Sequence, residues 1–468
     1  MAEKIPLFGA GLSSKSLQTS SQYRLNVYAE IQPVEDKTRV SFHRTPGTTL
    51  FSDYGGAVAR AWVVAGTNIY MLAGDSFICI DNSGTVTTIA TIVTSLEGQT
   101  SMVWTGRYVF FVDGVAGYTY EPATLTFQQI ASVDFPATAT TATWHDGYVI
   151  VEVDNQFAIS ALDDPLTWDA LERAEAEASP DNLIRVFADR GYILLLGQFT
   201  TELWGNVGAL DFPYQRVGGG VIERGLAAKW SLTRFRDGVI GLFQNVEGDV
   251  EVGMIVQGGY QKISTPDIDT IFNGYSNRND AQGLAYRHSG HSFYQINFGT
   301  VGRSWIFDPD STMWSEVQTD GGIHIAGLSE NYINQTLVAS SQSGKIYRLS
   351  PTAFTDDGVM IGREIVSKHV FEEEYFSVSR VWFDVDTGVG LTEGQGSNPS
   401  LMLRVSKDGG HTYGPEMISS LGAIGEYQHR AQFRRLGRGR SFTFKLRYTD
   451  PTVLGLNDVH VEASGGAH

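Results

Sequence analysis

One pattern of apolar and polar positions repeats along the middle of the chain, from about residue 55 to about residue 350. Each copy has a turn, an apolar strand, a second turn, an alternating strand, and a polar turn that leads into an aromatic or β-branched strand. Successive copies are roughly 40 to 50 residues apart. The first strands of the copies are anchored at Ile69, Tyr108, Tyr148, Tyr192, Val239, Phe293 and Thr336.

This spacing is typical of a β-propeller, whose four-stranded blades can bury their faces only against neighbouring blades. The sequence therefore predicts an all-β fold in which residues 55–355 form a β-propeller of about seven blades. Two alternatives stay open. The segments could form a β-sandwich or two β domains instead, and six or eight blades also fit, because both chain ends often complete the first and last blades.

A different pattern begins after Ser350. Apolar and polar residues alternate strictly, as in strands with one solvated face, in the segments Val378–Val385, Ser400–Val405 and Ser441–Tyr448. We therefore expect residues 356–468 to form a β-sandwich-like platform domain. Residues 1–54 contain further strand patterns at Arg24–Glu30 and Arg39–Phe42, too few to fold alone, and are predicted to pack on this platform domain.

Two short helices are predicted within the repeat region. The first covers Thr265–Phe272, where Thr265 can cap the helix, Pro266 takes the first helical position and acidic residues follow in the first turn. The second covers Asp169–Ala178, a segment rich in alanine and glutamate, which both favour helix.

Composition supports the β fold and narrows the chemistry. Of the 468 residues 18% are charged, 12% are aromatic and 52 are glycine. The single cysteine, Cys79, excludes a disulfide within the chain and a cysteine-based zinc site. A net charge of −18 disfavours general DNA binding. We expect a soluble protein made in the cytoplasm, because no segment has the pattern of a signal peptide or a membrane span.

One basic segment stands out in this acidic chain. It contains Arg430, Arg434, Arg435, Arg438 and Arg440. The segment could be a solvated turn between two strands, or it could contact DNA phosphates. We favour a docking site, because guanidinium groups bind carboxylates with two parallel hydrogen bonds and the rest of the molecule is acidic.

The sequence lacks the common catalytic motifs: the P-loop, His-Glu-x-x-His, Gly-x-Ser-x-Gly and the glycine-rich dinucleotide turn. We therefore expect no enzyme activity, no metal and no cofactor. His288 and His291 lie in a Ser/Gly turn and are interpreted as a solvated loop. A glycosidase would need two carboxylates across a pocket, and the candidates flank prolines in turns, where acids are common for backbone reasons: Asp163, Asp164, Asp308 and Asp310.

A short motif near the C-terminus resembles the Asp-box of sialidases and related propellers. Its residues are Ser406, Asp408, Gly410 and Thr412. In those proteins the aspartate closes a β-hairpin turn by binding backbone amides, which is a folding device rather than chemistry. The sequence contains one copy, outside the repeats, so we interpret it as a structural turn.

The two ends of the chain carry a family resemblance. Its motifs are Arg24–Glu30, Arg44–Gly47, Ser406–Glu416, Arg434–Arg438 and Phe444–Arg447. With these motifs and the order of its repeats, the chain resembles the packaged-DNA stabilisation proteins of short-tailed bacteriophages, which form the hub or nozzle of the tail. The resemblance covers nearly the whole chain, although its sharp motifs lie at the two ends.

The resemblance implies a structural protein of the virion tail, made in the host cytoplasm and without catalytic residues. It further implies a ring of six copies that joins the portal or head-to-tail adaptor to a tail needle, tailspike or fibre. Packaged double-stranded DNA would be retained by the ring and later leave through it without sequence-specific binding, since like charge keeps DNA from adhering to an acidic lumen.

The alternative is a carbohydrate-binding or glycosidase-like β-propeller tail protein. Trp204, Trp305 and Trp314 could stack on sugar rings, although tryptophans at blade-strand positions more often belong to the core. A stable or adaptor-induced ring that gives no signal on a glycan array would support the tail hub, whereas a monomer that binds glycans tightly would support the alternative.

Overall fold

The computed structural model describes residues 22–34, 37–92, 98–176 and 181–465. Regular structure in these residues is almost entirely β, with 40 strands and one helix. The all-β prediction is therefore confirmed. The N-terminal segment predicted to pack on the platform domain can be followed from Gln22 onward, since residues 1–21 lie outside the described part.

The described chain begins with four strands that later join distant partners. They are β1 (Tyr23–Leu25), β2 (Val27–Val34), β3 (Lys37–Arg44) and β4 (Gly47–Asp53).

The repeats then fold into small antiparallel sheets, each made of strands that follow one another in the chain. The first sheet contains β5 (Ala59–Ala65), β6 (Asn68–Ala73), β7 (Ser76–Ile80) and β8 (Val86–Thr91). The second contains β9 (Met102–Trp104), β10 (Val109–Val112), β11 (Gly117–Glu121) and β12 (Thr126–Gln129). The third contains β13 (Ala142–His145), β14 (Tyr148–Val153), β15 (Gln156–Ala161) and β16 (Asp164–Glu175).

The fourth sheet contains β17 (Leu183–Asp189), β18 (Tyr192–Gly197), β19 (Thr201–Asn206) and β20 (Tyr214–Ile222). The fifth contains β21 (Gly225–Leu226), β22 (Thr233–Phe235), β23 (Gly238–Gln244), β24 (Val250–Val256) and β25 (Gly259–Lys262). The helix α1 (Pro266–Asn273) follows it.

Seven further strands complete the repeat region. Four form the β26–β29 group: β26 (Ala281–His288), β27 (His291–Phe298), β28 (Arg303–Asp308) and β29 (Met313–Val317). The other three are β30 (Ala326–Tyr332), β31 (Gln335–Ser340) and β32 (Lys345–Ser350). They form the closing sheet together with β4, which pairs with β32 across the whole chain.

The sheets are arranged in a closed circle. β5 contacts β9, β9 contacts β13 and β13 contacts β17. The fourth and fifth sheets meet where β18 contacts β21. β22 contacts β26, β26 contacts β30, and β30 contacts β5. A cluster of buried side chains lies between each sheet and the next. Leu72 of the first sheet and Phe111 of the second, for example, share one such cluster. The predicted β-propeller is therefore confirmed.

The sequence predicted about seven blades, and in the described part of the chain the circle consists of six separate sheets and one merged group. Six sheets in the described residues stand as separate four- or five-stranded units. The β26–β29 group is instead merged with the C-terminal sheet, because β1 pairs in parallel with β29 at Leu25 and Glu316. The repeat pattern in the sequence shows only the strands within each unit. It cannot show that a strand from a distant part of the chain joins the edge of one sheet.

Eight strands follow the repeats. They are β33 (Thr355–Asp356), β34 (Val359–Met360), β35 (Arg363–Val366), β36 (Val370–Val385), β37 (Ser400–Ser406), β38 (Met417–Ser420), β39 (Ala431–Tyr448) and β40 (Leu456–Gly465). β36 lies between β39 and β40, and the second half of β39 pairs with β35 and β37. One large cluster of buried side chains fills this region, including Leu403, Phe442 and Phe444.

The N-terminal segment divides between the two regions. Phe42 of β3 pairs with Leu456 of β40, and Val27 and Ala29 of β2 pack into the same cluster as Phe442. β4, in contrast, is a strand of the closing sheet, so residues 47–53 belong to the propeller rather than to the platform domain predicted for the whole segment 1–54.

The two helix predictions have opposite outcomes. α1 is confirmed, with Pro266 in its first turn, although Thr265 makes no side-chain capping hydrogen bond. The helix predicted over Asp169–Ala178 is wrong as far as it is described, because the chain continues as β16 to Glu175 and pairs with β15. Cross-strand pairing outweighs the modest helix preference of alanine and glutamate. Ala178 lies outside the described residues.

Candidate functional site

The five basic residues lie on or beside one long strand. Arg434, Arg435, Arg438 and Arg440 are exposed on β39, and Arg430 is exposed just before it. The alternative that this segment is a turn between two strands is therefore wrong. We call these five side chains the arginine strip.

A bulge in β39 brings the strip to one face. Phe433 and Leu436 point into the core, whereas the two residues between them, Arg434 and Arg435, are both exposed. Arg435 has a φ of 60° and the pairing with β36 shifts register at this point. A bulge of this kind adds one residue to one strand and re-aims its side chains. Two consecutive arginines thus reach solvent without breaking the buried alternation.

Aromatic rings of β36 support the strip from below. The guanidinium carbons of Arg438 and Arg440 lie 5.6 and 4.9 Å from the centre of the Tyr375 ring. Arg430 lies 5.8 Å from the centre of the Trp382 ring, which also stacks on His460 at 5.1 Å. Cation–π contacts of this length orient a guanidinium without neutralising it. These rings were not predicted from the sequence, in which their only signal is their position in an alternating strand.

The charges of the strip remain available to a partner. Within the described ranges, none of the five guanidinium groups forms an ion pair with a carboxylate. Arg434 makes one long hydrogen bond, 3.4 Å from Nη2 to Oε1 of Gln432. Exposed unpaired arginines on a molecule of net charge −18 form a local site for acidic groups.

A mostly polar cleft that contains two exposed apolar side chains adjoins the strip. It has a volume of about 1030 Å³ and is lined by Ile418, Tyr427, His429 and Arg430 among others. Ile418 and Tyr427 expose 67% and 73% of their surface, far more than is usual for such large apolar side chains. An exposed apolar patch rimmed by charge is typical of a protein interaction surface.

The Asp-box-like motif forms a self-contained turn after β37. Oδ1 of Asp408 accepts hydrogen bonds from Oγ of Ser406 at 2.6 Å and from the backbone N–H of Thr412 at 2.9 Å. The backbone N–H of Gly410 donates to Oγ of Ser406 at 2.8 Å. The hydroxyls of Ser406 and Thr412 hold the pKa of the Asp408 carboxyl well below its usual range. All of these partners lie within the turn, so its geometry is that of a folding device.

The histidine pair is not the solvated loop that the sequence suggested. The His291 ring is mostly buried, lies 5.1 Å from the ring of Tyr28, and its Nδ1 is 3.0 Å from Oδ2 of Asp308. Asp310 is also close, at 3.8 Å. These three residues could meet around a metal ion. Each carboxylate already has protein partners, however, since Asp310 pairs with Arg236 at 2.7 Å and Asp308 accepts from the Ser311 hydroxyl at 2.8 Å.

The residues proposed for carbohydrate chemistry serve the fold. Trp305 and Trp314 are 5% and 1% exposed and belong to the cluster between the fifth sheet and the β26–β29 group. Trp204 is partly buried and packs edge-on against Phe157 at 5.3 Å. Asp164 accepts hydrogen bonds from the backbone of Leu166 and the hydroxyl of Thr167, which closes its own turn. This arrangement does not favour the carbohydrate alternative.

No described helix is both long and apolar enough to cross a membrane.

Two family models match the sequence. Residues 3–353 match the model described as bacteriophage P22 Gp10, beta-propeller, and residues 362–464 match the model described as bacteriophage P22 Gp10, beta-sandwich. No curated protein matches the sequence.

Solved structures show low similarity to the chain. The extracellular domain of a hybrid two-component system from B. thetaiotaomicron has a TM-score of 0.46 at 9% identity over 65% of this chain, which spans 40% of that chain. A computationally designed protein has a TM-score of 0.42 at 12% identity, and the match covers 65% of this chain and 100% of the designed chain. The Pan2 WD40 domain of Neurospora crassa has a TM-score of 0.40 at 9% identity, and the match covers 68% of this chain and 98% of the Pan2 chain. All three scores are below 0.5, so nothing about this chain follows from them.

The two family models together cover nearly the whole chain, and they do so in the order in which the structure places the propeller and the C-terminal β-sandwich. They confirm the resemblance carried by the motifs at the two ends of the sequence. The chain therefore belongs to the bacteriophage P22 Gp10 family of packaged-DNA stabilisation proteins and is a structural protein of a phage tail.

Proposed function

We propose that this protein is the tail hub, or nozzle, of a short-tailed phage. Six copies form a ring that joins the portal or head-to-tail adaptor to the tail needle, tailspike or fibre. The ring retains the packaged double-stranded DNA and forms part of the channel through which it is ejected. The observation that carries this proposal is the arginine strip, a row of unpaired cations on an otherwise acidic tail protein.

The strip supports docking through its geometry. A partner with exposed carboxylates can form bidentate hydrogen bonds with each guanidinium, and the aromatic rings beneath the strip reduce the side-chain entropy lost on binding. The adjoining cleft with Ile418 and Tyr427 adds apolar surface that a partner can cover. The partner is the adaptor or the adjacent subunit of the ring, both of which would lie against the platform domain.

Charge reversal tests the docking role. The triple variant R434E/R435E/R438E should fold normally, because all three side chains are exposed, yet fail to attach to DNA-filled heads. We expect attachment in a pull-down on purified heads to fall at least about tenfold, since lost interfacial charge pairs cost 2 kcal/mol or more. The matched control R107E/R190E/R216E reverses three exposed arginines of the propeller and should attach normally. Normal attachment of the first variant would remove the docking role.

The ring and the DNA path are tested separately. Native mass measurement with and without the head-to-tail adaptor should show six copies in the complete assembly. Heads completed with the protein should keep their DNA when incubated with nuclease, and heads mixed with the triple variant, which should not attach, should lose it. The acidic character of the chain supports passage of DNA without adhesion, since like charge repels the phosphate backbone.

A further inference from the structure

One end of the propeller axis contains a cavity of about 350 Å³. It lies where the inner strands β22, β26 and β30 of three neighbouring sheets meet. Its volume is within the roughly 300–1,000 Å³ typical of sites for small ligands. Three arginines line it: Arg234, Arg236 and Arg287.

Two of these arginines keep most of their binding capacity. Nη2 of Arg234 donates to the backbone oxygen of Ala188 at 2.6 Å, whereas a guanidinium has five N–H donors. Arg287 is exposed and has no hydrogen bond or ion pair with any residue in the described part of the chain. Arg236 is different, because it is already paired with Asp310 at 2.7 Å. Arg234 and Arg287 are therefore the cations free to hold a ligand.

The one acid that lines this cavity carries less than a full negative charge near neutral pH. Glu330 of β30 is half-buried and, in the described residues, has no hydrogen-bond or ion-pair partner. Burial alone raises the pKa of its carboxyl to about 7, so near neutral pH much of it is uncharged. Asn331 and Ser292 supply uncharged polar groups to the same wall. The cavity is thus locally positive in a strongly acidic protein.

The opposite end of the axis is built differently. Its cavity, about 510 Å³, contains Arg60 and Asp75, which carry opposite charges. The Arg60 guanidinium donates to the backbone oxygens of Gly98 at 2.7 Å and Gly74 at 3.2 Å, so it ties neighbouring turns together. Of these two axial cavities, the first combines free guanidinium donors with more basic than acidic lining residues.

We propose that the cavity between β22, β26 and β30 binds a small oxyanion, a phosphate- or carboxylate-bearing molecule, held by Arg234 and Arg287. Guanidinium groups are the side chains best matched to planar carboxylates and to phosphates. A bound anion would bridge three sheets of the propeller. The proposal does not depend on the tail-hub function.

The first experiment measures binding to the full chain by calorimetry, with sodium tripolyphosphate and sodium citrate as probes at an ionic strength fixed with sodium chloride. If only tripolyphosphate binds saturably, near one equivalent, the ligand carries phosphate. If only citrate binds in this way, the ligand carries carboxylate. The variant R234A/R287A should weaken binding at least tenfold. The control R190A/R216A also removes two exposed arginines and should bind as the wild type does. Circular dichroism checks that both variants are folded.

The second experiment tests Glu330 with sulfate, whose charge is constant between pH 6 and 8. Protonation removes the negative charge of Glu330, so sulfate affinity of the wild type should rise as the pH falls through 7. E330Q should bind tightly at both pH values and lose this dependence. The proposal is overturned if no probe binds saturably, if R234A/R287A binds like its control, or if E330Q keeps the pH dependence.

Discussion

The propeller and the C-terminal β-sandwich hide their apolar surface in different ways. In the propeller, short strands form small sheets, and a separate cluster such as that of Leu72 and Phe111 lies between each pair of neighbours. In the sandwich, strands of up to 18 residues enclose one large cluster around Phe442. Stability in the propeller is therefore a sum over local interfaces, whereas the sandwich has a single core whose disruption reaches every strand. This contrast leads to graded predictions.

The largest effect is expected in the sandwich core. Phe442 is fully buried and lies 4.9 Å from the ring of Phe376. F442A should lower the free energy of unfolding by about 3–5 kcal/mol, because it removes apolar contacts and leaves a cavity. Hydrogen exchange should quicken throughout β35–β40. The control F371A removes a ring that is 55% exposed and should change little. Faster hydrogen exchange confined to β39 would contradict the description of the sandwich as a single core.

A smaller and more local effect is expected in the propeller. Leu195 is 1% exposed and belongs to the cluster between the third and fourth sheets. L195A should cost about 2–5 kcal/mol locally, with faster hydrogen exchange in β13–β20 and nearly unchanged exchange in β5–β8. L171A, at a site 86% exposed in the third sheet, is the matched control. Equal loss of protection around the whole circle would show that the propeller unfolds as one unit.

The third prediction concerns pH and the propeller axis. Because burial raises the pKa of Glu330 to about 7, the folded state holds a proton that the unfolded state releases near pH 4.5. Glu330 therefore destabilises the propeller progressively as the pH rises from about 4.5 through 7. E330Q should be more stable than the wild type at pH 8 and similar to it at pH 4. E223Q, at an exposed site, should show no such difference, and melting temperatures across this range provide the check.

The smallest effect is expected at the Asp408 turn. Its carboxyl has a lowered pKa and is fully solvated, so it stabilises the turn above the ordinary carboxyl pKa, and this contribution is lost in strong acid. D408A should speed hydrogen exchange at Thr412 at pH 7 and leave the melting temperature of the whole chain nearly unchanged. D211A, a change at an exposed loop acid, should leave that exchange rate as it is.

Local patterns in the sequence were sufficient for much of the fold. The spacing of apolar strands predicted the propeller, and Pro266 with its acidic neighbours predicted α1. Two of the failures share a physical cause, since a partner far away in the chain decides the outcome: β4 pairs with β32 almost 300 residues later, and β1 joins β29 and β35. No local window around β1 or β4 contains the residues that fix their structure. The failed helix prediction has a different cause, because β16 pairs with β15, the strand directly before it, and this pairing outweighs the helix preference of its residues.

The residues of the arginine strip could be predicted from the sequence, but their arrangement on a bulged strand above aromatic rings could not. The five arginines could be selected because their charge contrasts with the rest of the chain. The segment could have been a turn, whereas in the structure it is part of β39, in which Gly437 takes a positive φ of 91° next to the bulge. The rings of Tyr375 and Trp382 come from β36, some sixty residues earlier, so only the folded chain brings them beneath the guanidinium groups. The axial cavity likewise depends on three strands from different sheets.

The pairing of β1 with β29 on one side and β35 on the other has a mechanical consequence. β1 shares one residue pair with β29 of the propeller and three pairs with β35 of the sandwich. The guanidinium of Arg24 adds hydrogen bonds to the backbone oxygen of Trp314 at 3.0 and 3.2 Å. A force applied to one region would therefore be transmitted to the other through paired strands and not through a flexible linker. In a tail part assembled from such subunits, tension would be transmitted with little change in the relative position of the two regions.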